Sequence, residues 1–132
     1  MFGLGRSEQG GQQGGEQGGV DHVAVAILPV SDMAAAQRFF ERLGLRPMDD
    51  FGDEYAILVD GRGWQVHLKR AAPSFLKSST PFGLYLYTQE VDQLAAQFGV
   101  RPQQTEWGTY EFTLQGPDGI EVQVGWPAGV QG

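Results

Sequence analysis

Few side chains in this sequence of 132 residues could carry out nucleophilic or metal chemistry. The chain contains two histidines, His22 and His67, and no cysteine. Without cysteine there can be no disulfide, thiol nucleophile or thiolate–metal site. No GxSxG, Walker or GxGxxG pattern occurs, so neither a nucleophilic serine elbow nor a phosphate-binding glycine loop is indicated. A catalytic pair of nucleophile and histidine is therefore poorly supported.

Aromatic side chains are the other chemical resource of the sequence. In the segment LYLYT, Tyr85 and Tyr87 alternate with Leu84 and Leu86. Strand alternation places the two tyrosines on one face and the two leucines on the other. Leucines suit a core covered by a helix, whereas tyrosines suit a pocket in which their hydroxyl groups find partners. The pattern favours a pocket position for Tyr85 and Tyr87.

The elements that hold these side chains follow one order twice. In the first unit, about residues 21–72, a strand in VDHVAVAILPV precedes an amphipathic helix. Ser31 is the predicted N-cap of this helix, with Asp32 in its first turn, and Gly44 ends it. Three short strands follow, around Leu45–Asp49, Tyr55–Val59 and Trp64–Lys69.

The second unit, about residues 82–127, repeats this order after a connecting loop at Ala71–Pro81. The strand LYLYT leads into a second amphipathic helix, which Gly99 ends. Three more strands are predicted near Val100–Thr105, Tyr110–Leu114 and Ile120–Trp126.

A βαβββ unit covers only one face of its sheet with a helix, so the other face must pack on something or line a cavity. The sequence therefore predicts one α+β domain over residues 21–127. Its two tandem βαβββ modules would form curved mixed sheets with helices on the outer face and a small-molecule site on the concave inner face. The Gly/Gln-rich residues 1–20 are predicted to be a flexible tail, and residues 128–132 a C-terminal tail.

Three segments in this order resemble the vicinal-oxygen-chelate superfamily, which includes glyoxalase I, extradiol dioxygenases, fosfomycin-resistance enzymes and bleomycin-resistance proteins. LPVSDMAAAQRFFERLGL is similar to the superfamily's first strand, helix and Leu-Gly turn, and FGLYLYTQEVDQLAAQF to the start of its second module. EWGTYEFTLQGPDGIEVQVGWP, in which WGxxEF precedes PDG, most resembles the bleomycin-resistance branch. The resemblance covers about residues 23–127 and departs from the usual pattern at Ile120, where the family has Asn.

Enzymes of this superfamily hold a divalent metal through His, Glu or Gln side chains. The resemblance places the four ligand positions at Val25, His67, Gly83 and Gln123. One imidazole and one amide are too few for a tightly held catalytic metal, so we expect no metal, no other cofactor and no catalytic residue. A one-residue bulge in the first strand would change which side chains face inward and would reopen the metal alternative. Otherwise His67 either lines the pocket or has a hydrogen-bonded structural role, and His22 is expected to be exposed or at an edge.

The resemblance implies that Trp107, at the entrance to a strand, stacks on a ligand. The acidic segment MDDFGDEY, residues 48–55, reaches the ligand groove in bleomycin-resistance-like proteins. Carboxylates there would suit a cationic group, or they form a solvated hairpin edge that blocks strand pairing. The expected ligand-binding residues are Trp107, Tyr85, Tyr87, His67, Tyr55, Phe51, Asp50, Asp53 and Gln123.

The interpretation we prefer is a non-catalytic binding protein that resembles the bleomycin-resistance proteins. It would form a homodimer and confer antibiotic resistance by sequestering a planar or cationic natural product in a groove at the dimer interface. The alternatives are a metal-dependent glyoxalase-like lyase, transferase or dioxygenase, and a scaffold or sensor that binds a common metabolite. The net charge of −7 argues against a nucleic-acid partner. No apolar stretch is long enough to cross a membrane, so a cytoplasmic location is the expectation.

Overall fold

The computed structural model describes residues 21–78 and 82–129. The first unit contains a four-stranded sheet in the order β1-β4-β3-β2, in which β1 is parallel to β4 and the other pairs are antiparallel. Its elements are β1 (Ala26–Val30), α1 (Met33–Glu41), β2 (Arg46–Asp50), β3 (Tyr55–Val59) and β4 (Gln65–Arg70). The expected N-terminal tail at residues 1–20 and most of the expected C-terminal tail lie outside the described residues.

The second unit repeats this topology after a short helix, α2 (Pro73–Ser78). Its sheet has the order β5-β8-β7-β6, with β5 parallel to β8. The elements are β5 (Gly83–Tyr87), α3 (Val91–Phe98), β6 (Gln103–Gln104), β7 (Thr109–Gln115), a 3₁₀ turn (Pro117–Gly119) and β8 (Glu121–Pro127). The predicted α+β fold with two tandem βαβββ modules is confirmed.

The start of α1 differs from the sequence prediction. Asp32, not Ser31, is the N-cap, and its Oδ1 accepts a hydrogen bond from the backbone N–H of Ala35 at 3.0 Å. Ser31 instead donates through its hydroxyl and its backbone N–H to the carboxylate of Asp118, at 2.7 and 2.9 Å. Asp118 lies in the turn before β8, so Ser31 joins the first unit to the second.

Three other predicted elements differ in the structure. The strand predicted near Val100–Thr105 is only the two-residue β6, Gln103–Gln104. The strand predicted across VDHVAVAILPV begins only at Ala26. β1 pairs with β4 alone, and Ala26 is opposite Val66, the first β4 residue in this ladder. The predicted loop at residues 71–81 contains α2, which begins at Pro73. Proline suits the first position of a helix because its missing N–H would have no partner there.

Alternate strand residues pack against the helices and form one apolar core. These buried residues are Leu28, Val30, Ala56, Leu58, Val66, Leu68, Leu86, Phe112, Leu114, Val122 and Val124. The helices contribute Ala36, Phe40, Val91 and Ala95. The residues between them in each strand point the opposite way. We call this opposite side the inner face; it carries Tyr55, Gln65 and His67 in the first sheet and Tyr85, Tyr87, Glu111, Gln123 and Gly125 in the second.

Polar contacts join the residues before β4 to those at the end of β5. The guanidinium of Arg62 donates to both carboxylate oxygens of Glu90 at 3.2 and 2.9 Å. The indole N–H of Trp64 donates to the backbone carbonyl of Tyr87 at 2.9 Å. Beside these contacts lies a cavity of about 550 Å³, the seam cavity, whose walls include Trp64, Tyr87 and Trp126. None of the described helices is long and apolar enough to cross a membrane.

Candidate ligand-binding site

A buried carboxylate forms the floor of the inner face in the second sheet. Glu111 is only 7% exposed, and it alone is buried among the polar and charged residues that the structure describes. Its Oε1 accepts hydrogen bonds from the hydroxyl groups of Tyr85 at 2.8 Å and Thr109 at 2.6 Å. Its Oε2 accepts a longer one, 3.4 Å, from the side-chain amide of Gln123. Alternation in TYEFTL places Glu111 opposite the core residues Phe112 and Leu114, which is the sequence signal for its position.

Gly125 makes room for this cluster. It lies beside Glu111 in the β7–β8 ladder and beside Tyr87 in the β5–β8 ladder. A Cβ at position 125 would clash with the hydroxyl of Tyr85 and would lie 2.6 Å from Cβ of Glu111 and 2.8 Å from the backbone carbonyl of Tyr110. The phenol of Tyr85 therefore reaches Glu111 across a position that only glycine leaves open.

The same cluster supports the turn that carries Trp107. The hydroxyl groups of Thr109 and Thr105 are 2.8 Å apart, and the backbone N–H of Thr105 donates to the carbonyl of Thr109 at 2.8 Å. These contacts close the turn between β6 and β7. Trp107, in this turn, is 72% exposed. A chain of hydrogen bonds thus runs from the carboxylate of Glu111 through Thr109 to Thr105, in the turn that carries Trp107.

Burial, followed by the hydrogen bond to Glu111, raises the pKa of Tyr85 to about 12. The phenol therefore stays protonated through the neutral range and acts as a hydrogen-bond donor to the carboxylate. Its ring lies 4.6 Å, centroid to centroid, from that of Tyr87, at an angle of 38°. Tyr87 is 55% exposed, so the pair presents aromatic surface beside the carboxylate.

The inner face of the first sheet carries a neutral polar cluster. Nδ1 of His67 is 2.7 Å from the hydroxyl oxygen of Tyr55, and Nε2 is 3.2 Å from the amide nitrogen of Gln65. Burial lowers the pKa of His67, so the ring is neutral at pH 7. Both ring nitrogens have hydrogen-bond partners, and the ring packs edge-on against that of Tyr55, with centroids 5.4 Å apart.

The pKa of His67 gives a prediction for stability. A histidine whose pKa is lower in the folded chain than its ordinary value of 6.5 contributes stability above that value and loses it as the pH falls through the folded-state pKa. We expect the thermal unfolding temperature to fall between about pH 7.5 and pH 5, and to fall less in His67→Gln. The exposed His22→Gln is the control and should behave as the wild type. Equal pH dependence in His67→Gln and wild type would contradict this expectation.

The inner face does not fit the metal site of the superfamily's enzymes. Val25 and Gly83 have no donor atoms, Nε2 of His67 lies against Gln65, and Gln123 donates to Glu111. The β1–β4 register is continuous from Ala26 to Val30, so the described strand contains no bulge that would bring in another ligand. Within residues 21–78 and 82–129, no group of three or more His, Asp or Glu side chains could hold a metal ion.

Apart from Tyr55, the acidic segment lies in β2 and in the connection between β2 and β3. Phe51 and Asp53 are exposed in the connection between β2 and β3, and Phe51 is 58% exposed. Glu54 pairs with Arg70 at 3.6 Å. The side chain of Asp50 lies outside what the structure describes. Of the residues expected to bind ligand, the structure brings Tyr55 into contact with His67, and Tyr85 into one cluster with Tyr87 and Gln123.

No family model and no curated protein matches the sequence. Solved structures do match it. The bleomycin resistance determinant encoded on transposon Tn5 has a TM-score of 0.69 at 19% identity, over 80% of this chain and 98% of that one. The bleomycin-binding protein of Streptomyces verticillus, in complex with copper(II)-bleomycin, has a TM-score of 0.64 at 19% identity, over 84% and 99% of the two chains.

A lactoylglutathione lyase from Agrobacterium tumefaciens is also similar, with a TM-score of 0.64 at 18% identity over 82% of this chain and 95% of that one. At these identities the likeness establishes a shared fold. The fold is common to binding proteins and to an enzyme, so it does not by itself select between them. The chain shares the fold of these bleomycin-binding proteins and of the lyase.

Proposed function

We propose that the protein binds a planar or cationic small molecule on its inner face and does not change it chemically. The observation that carries this proposal is the ring pair of Tyr85 and Tyr87 beside the buried carboxylate of Glu111. The exposed Trp107 lies in the turn that Thr105 and Thr109 close, and Thr109 is bonded to the same carboxylate. Flat aromatic faces stack on planar ligands and attract cations. Sequestration of a toxic natural product in this way would lower its free concentration and so protect the cell.

The side chains of the inner face support binding more than catalysis. The groups that could act as acids or bases, His67 and Glu111, already share their hydrogen bonds with Tyr55, Tyr85 and neighbouring amides. Val25 and Gly83, at two of the four positions expected to hold a catalytic metal, have no donor atoms. The proposed ligand contacts are Trp107, Tyr85, Tyr87, His67, Tyr55, Phe51 and Gln123, with Asp53 at the mouth of the groove.

The proposal includes a homodimer with a groove between the two copies. Large apolar side chains remain exposed in the single chain, including Ile27 at 55% and Met48 at 51%. Ile27 is the β1 neighbour of His67, so it lies on the inner face. A second copy of the chain, related by a two-fold axis, would cover this surface and create two equivalent grooves. The protein would act in the cytoplasm without a nucleic-acid partner, since its charge of −7 repels phosphate backbones.

Two measurements test this proposal. Titration with planar aromatic cations and with their neutral counterparts should quench tryptophan fluorescence saturably, because Trp107 lies at the site. Light scattering should give twice the chain mass of 14.4 kDa at micromolar concentration. A monomer of 14.4 kDa, or no saturable binding by any compound of the panel, would contradict the proposal.

A further inference from the structure

We propose that Glu111 selects the ligand by binding an amidinium, guanidinium or ammonium group directly through its Oε2 atom. This rests on the proposed function, because the ligand must first enter the inner face. It goes further by naming the residue that determines specificity and the chemical group that it recognises.

The first argument concerns the charge of Glu111. Glu111 is only 7% exposed as a residue, and a buried charge is costly unless it is paired and hydrogen-bonded. Its three hydrogen-bond partners, Tyr85, Thr109 and Gln123, are all neutral. Within the described part of the chain, the ion pairs formed by acidic side chains involve Glu90 and Glu54, not Glu111. The site therefore has a negative charge and no cation of its own.

The second argument concerns the two oxygens of the carboxylate. Oε1 accepts two short hydrogen bonds, at 2.6 and 2.8 Å, from Thr109 and Tyr85. Oε2 accepts a single long one, at 3.4 Å, from Gln123. An ionised carboxylate has about two acceptor sites on each oxygen. Oε2 is thus the oxygen with the greater unused acceptor capacity, and a charged N–H group would supply the strongest further donor.

The third argument concerns the surroundings of the carboxylate. Glu111 lies on the inner face beside Gly125, and β8 separates it from Tyr87 in β5. The tilted ring pair of Tyr85 and Tyr87 adjoins it, and a cation is attracted to aromatic faces as well as to the carboxylate. The combination favours a flat ligand whose cationic group is attached to an aromatic ring.

The test compares benzamidine, a flat aromatic cation, with benzamide, its neutral counterpart of the same shape. Dissociation constants are measured for the wild type, for Glu111→Gln, and for the control Glu121→Gln. Gln at position 111 keeps the size of the side chain and removes its charge, and the amide of Gln123 can turn to accept from it. Glu121 is exposed on the same face of β8, so its change removes an equal charge without touching the cluster.

We expect the wild type to bind benzamidine at least about tenfold more tightly than benzamide, as a charge-assisted hydrogen bond would give. Glu111→Gln should lose this preference through weaker benzamidine binding, with benzamide unchanged. Glu121→Gln should keep it. In the wild type, the side-chain amide signals of Gln123 in an NMR spectrum should shift with benzamidine and not with benzamide. This readout holds even where the Glu111 variant does not fold.

The outcomes separate the two proposals. Equal binding of both compounds by the wild type, with Trp107 still required, would overturn the role of Glu111 and leave the proposed function standing. The same loss in Glu121→Gln would also overturn it, because the attraction would then be long-range. Failure of benzamidine, benzamide and every planar compound of the panel to bind would overturn both.

Discussion

The variant Gly125→Ala is expected to lose about 1–3 kcal/mol of unfolding free energy, the usual cost of overpacking. The added methyl group would lie 2.6 Å from Cβ of Glu111 and 2.8 Å from the backbone carbonyl of Tyr110. Neither of these atoms can rotate away, because both belong to the neighbouring strand β7. The hydroxyl of Tyr85 would also have to leave Glu111, so the ligand site and the fold should be damaged together. Urea denaturation measures the change in stability.

Gly83→Ala is the matched control for this variant. Gly83 lies in β5, which is paired with the strand that holds Gly125, and a Cβ there would be 3.8 Å from the nearest atom, the carbonyl of Glu121. This is ordinary contact, and we expect a change within about 0.5 kcal/mol. Equal effects of the two substitutions would mean that the space at position 125 is not what holds the cluster together.

The variant Trp107→Ala is expected to weaken the binding of benzamidine by about 1–3 kcal/mol and to leave stability almost unchanged. The indole is 72% exposed, so its removal opens no cavity in the core. A tryptophan packed in the core would instead cost about 3–5 kcal/mol of stability. Thermal unfolding and ligand titration of the same preparation distinguish these outcomes.

Trp64→Ala provides the opposite case. Trp64 is half-buried at the seam, and its indole N–H donates to the carbonyl of Tyr87. This variant should lose stability and keep its affinity per folded molecule. If Trp107→Ala behaves in the same way as Trp64→Ala, the assignment of Trp107 to the ligand site is wrong.

Local sequence patterns predicted most of the fold. Helical periodicity and strand alternation depend on neighbouring residues, and they located α1, α3 and the inner position of Tyr85 and Tyr87. The cap of α1 could not be resolved in this way, because Ser31 and Asp32 are both good N-caps. The choice depends on Asp118, which is 87 positions away in the sequence and binds Ser31.

The candidate site was less predictable for the same reason. The inner position of Glu111 follows from alternation with Phe112, but its burial depends on hydrogen bonds from Tyr85 and Gln123 in other strands. The requirement for glycine at position 125 likewise comes from a tyrosine in β5. For the acidic segment around Asp53, alternation gives no position at all, because it lies in a connection rather than a strand. Such features arise only when the sheets have formed.

The position of a bound ligand is the most direct test of the proposed ligand site. The chain has three tryptophans, and each gives a separate indole N–H signal in an NMR spectrum. Trp107 belongs to the proposed ligand site, whereas Trp64 and Trp126 line the seam cavity. On titration with benzamidine, we predict that the signal of Trp107 shifts saturably and far more than the other two. Saturable shifts of Trp64 and Trp126, with Trp107 unmoved, would place the ligand in the seam cavity and contradict the account.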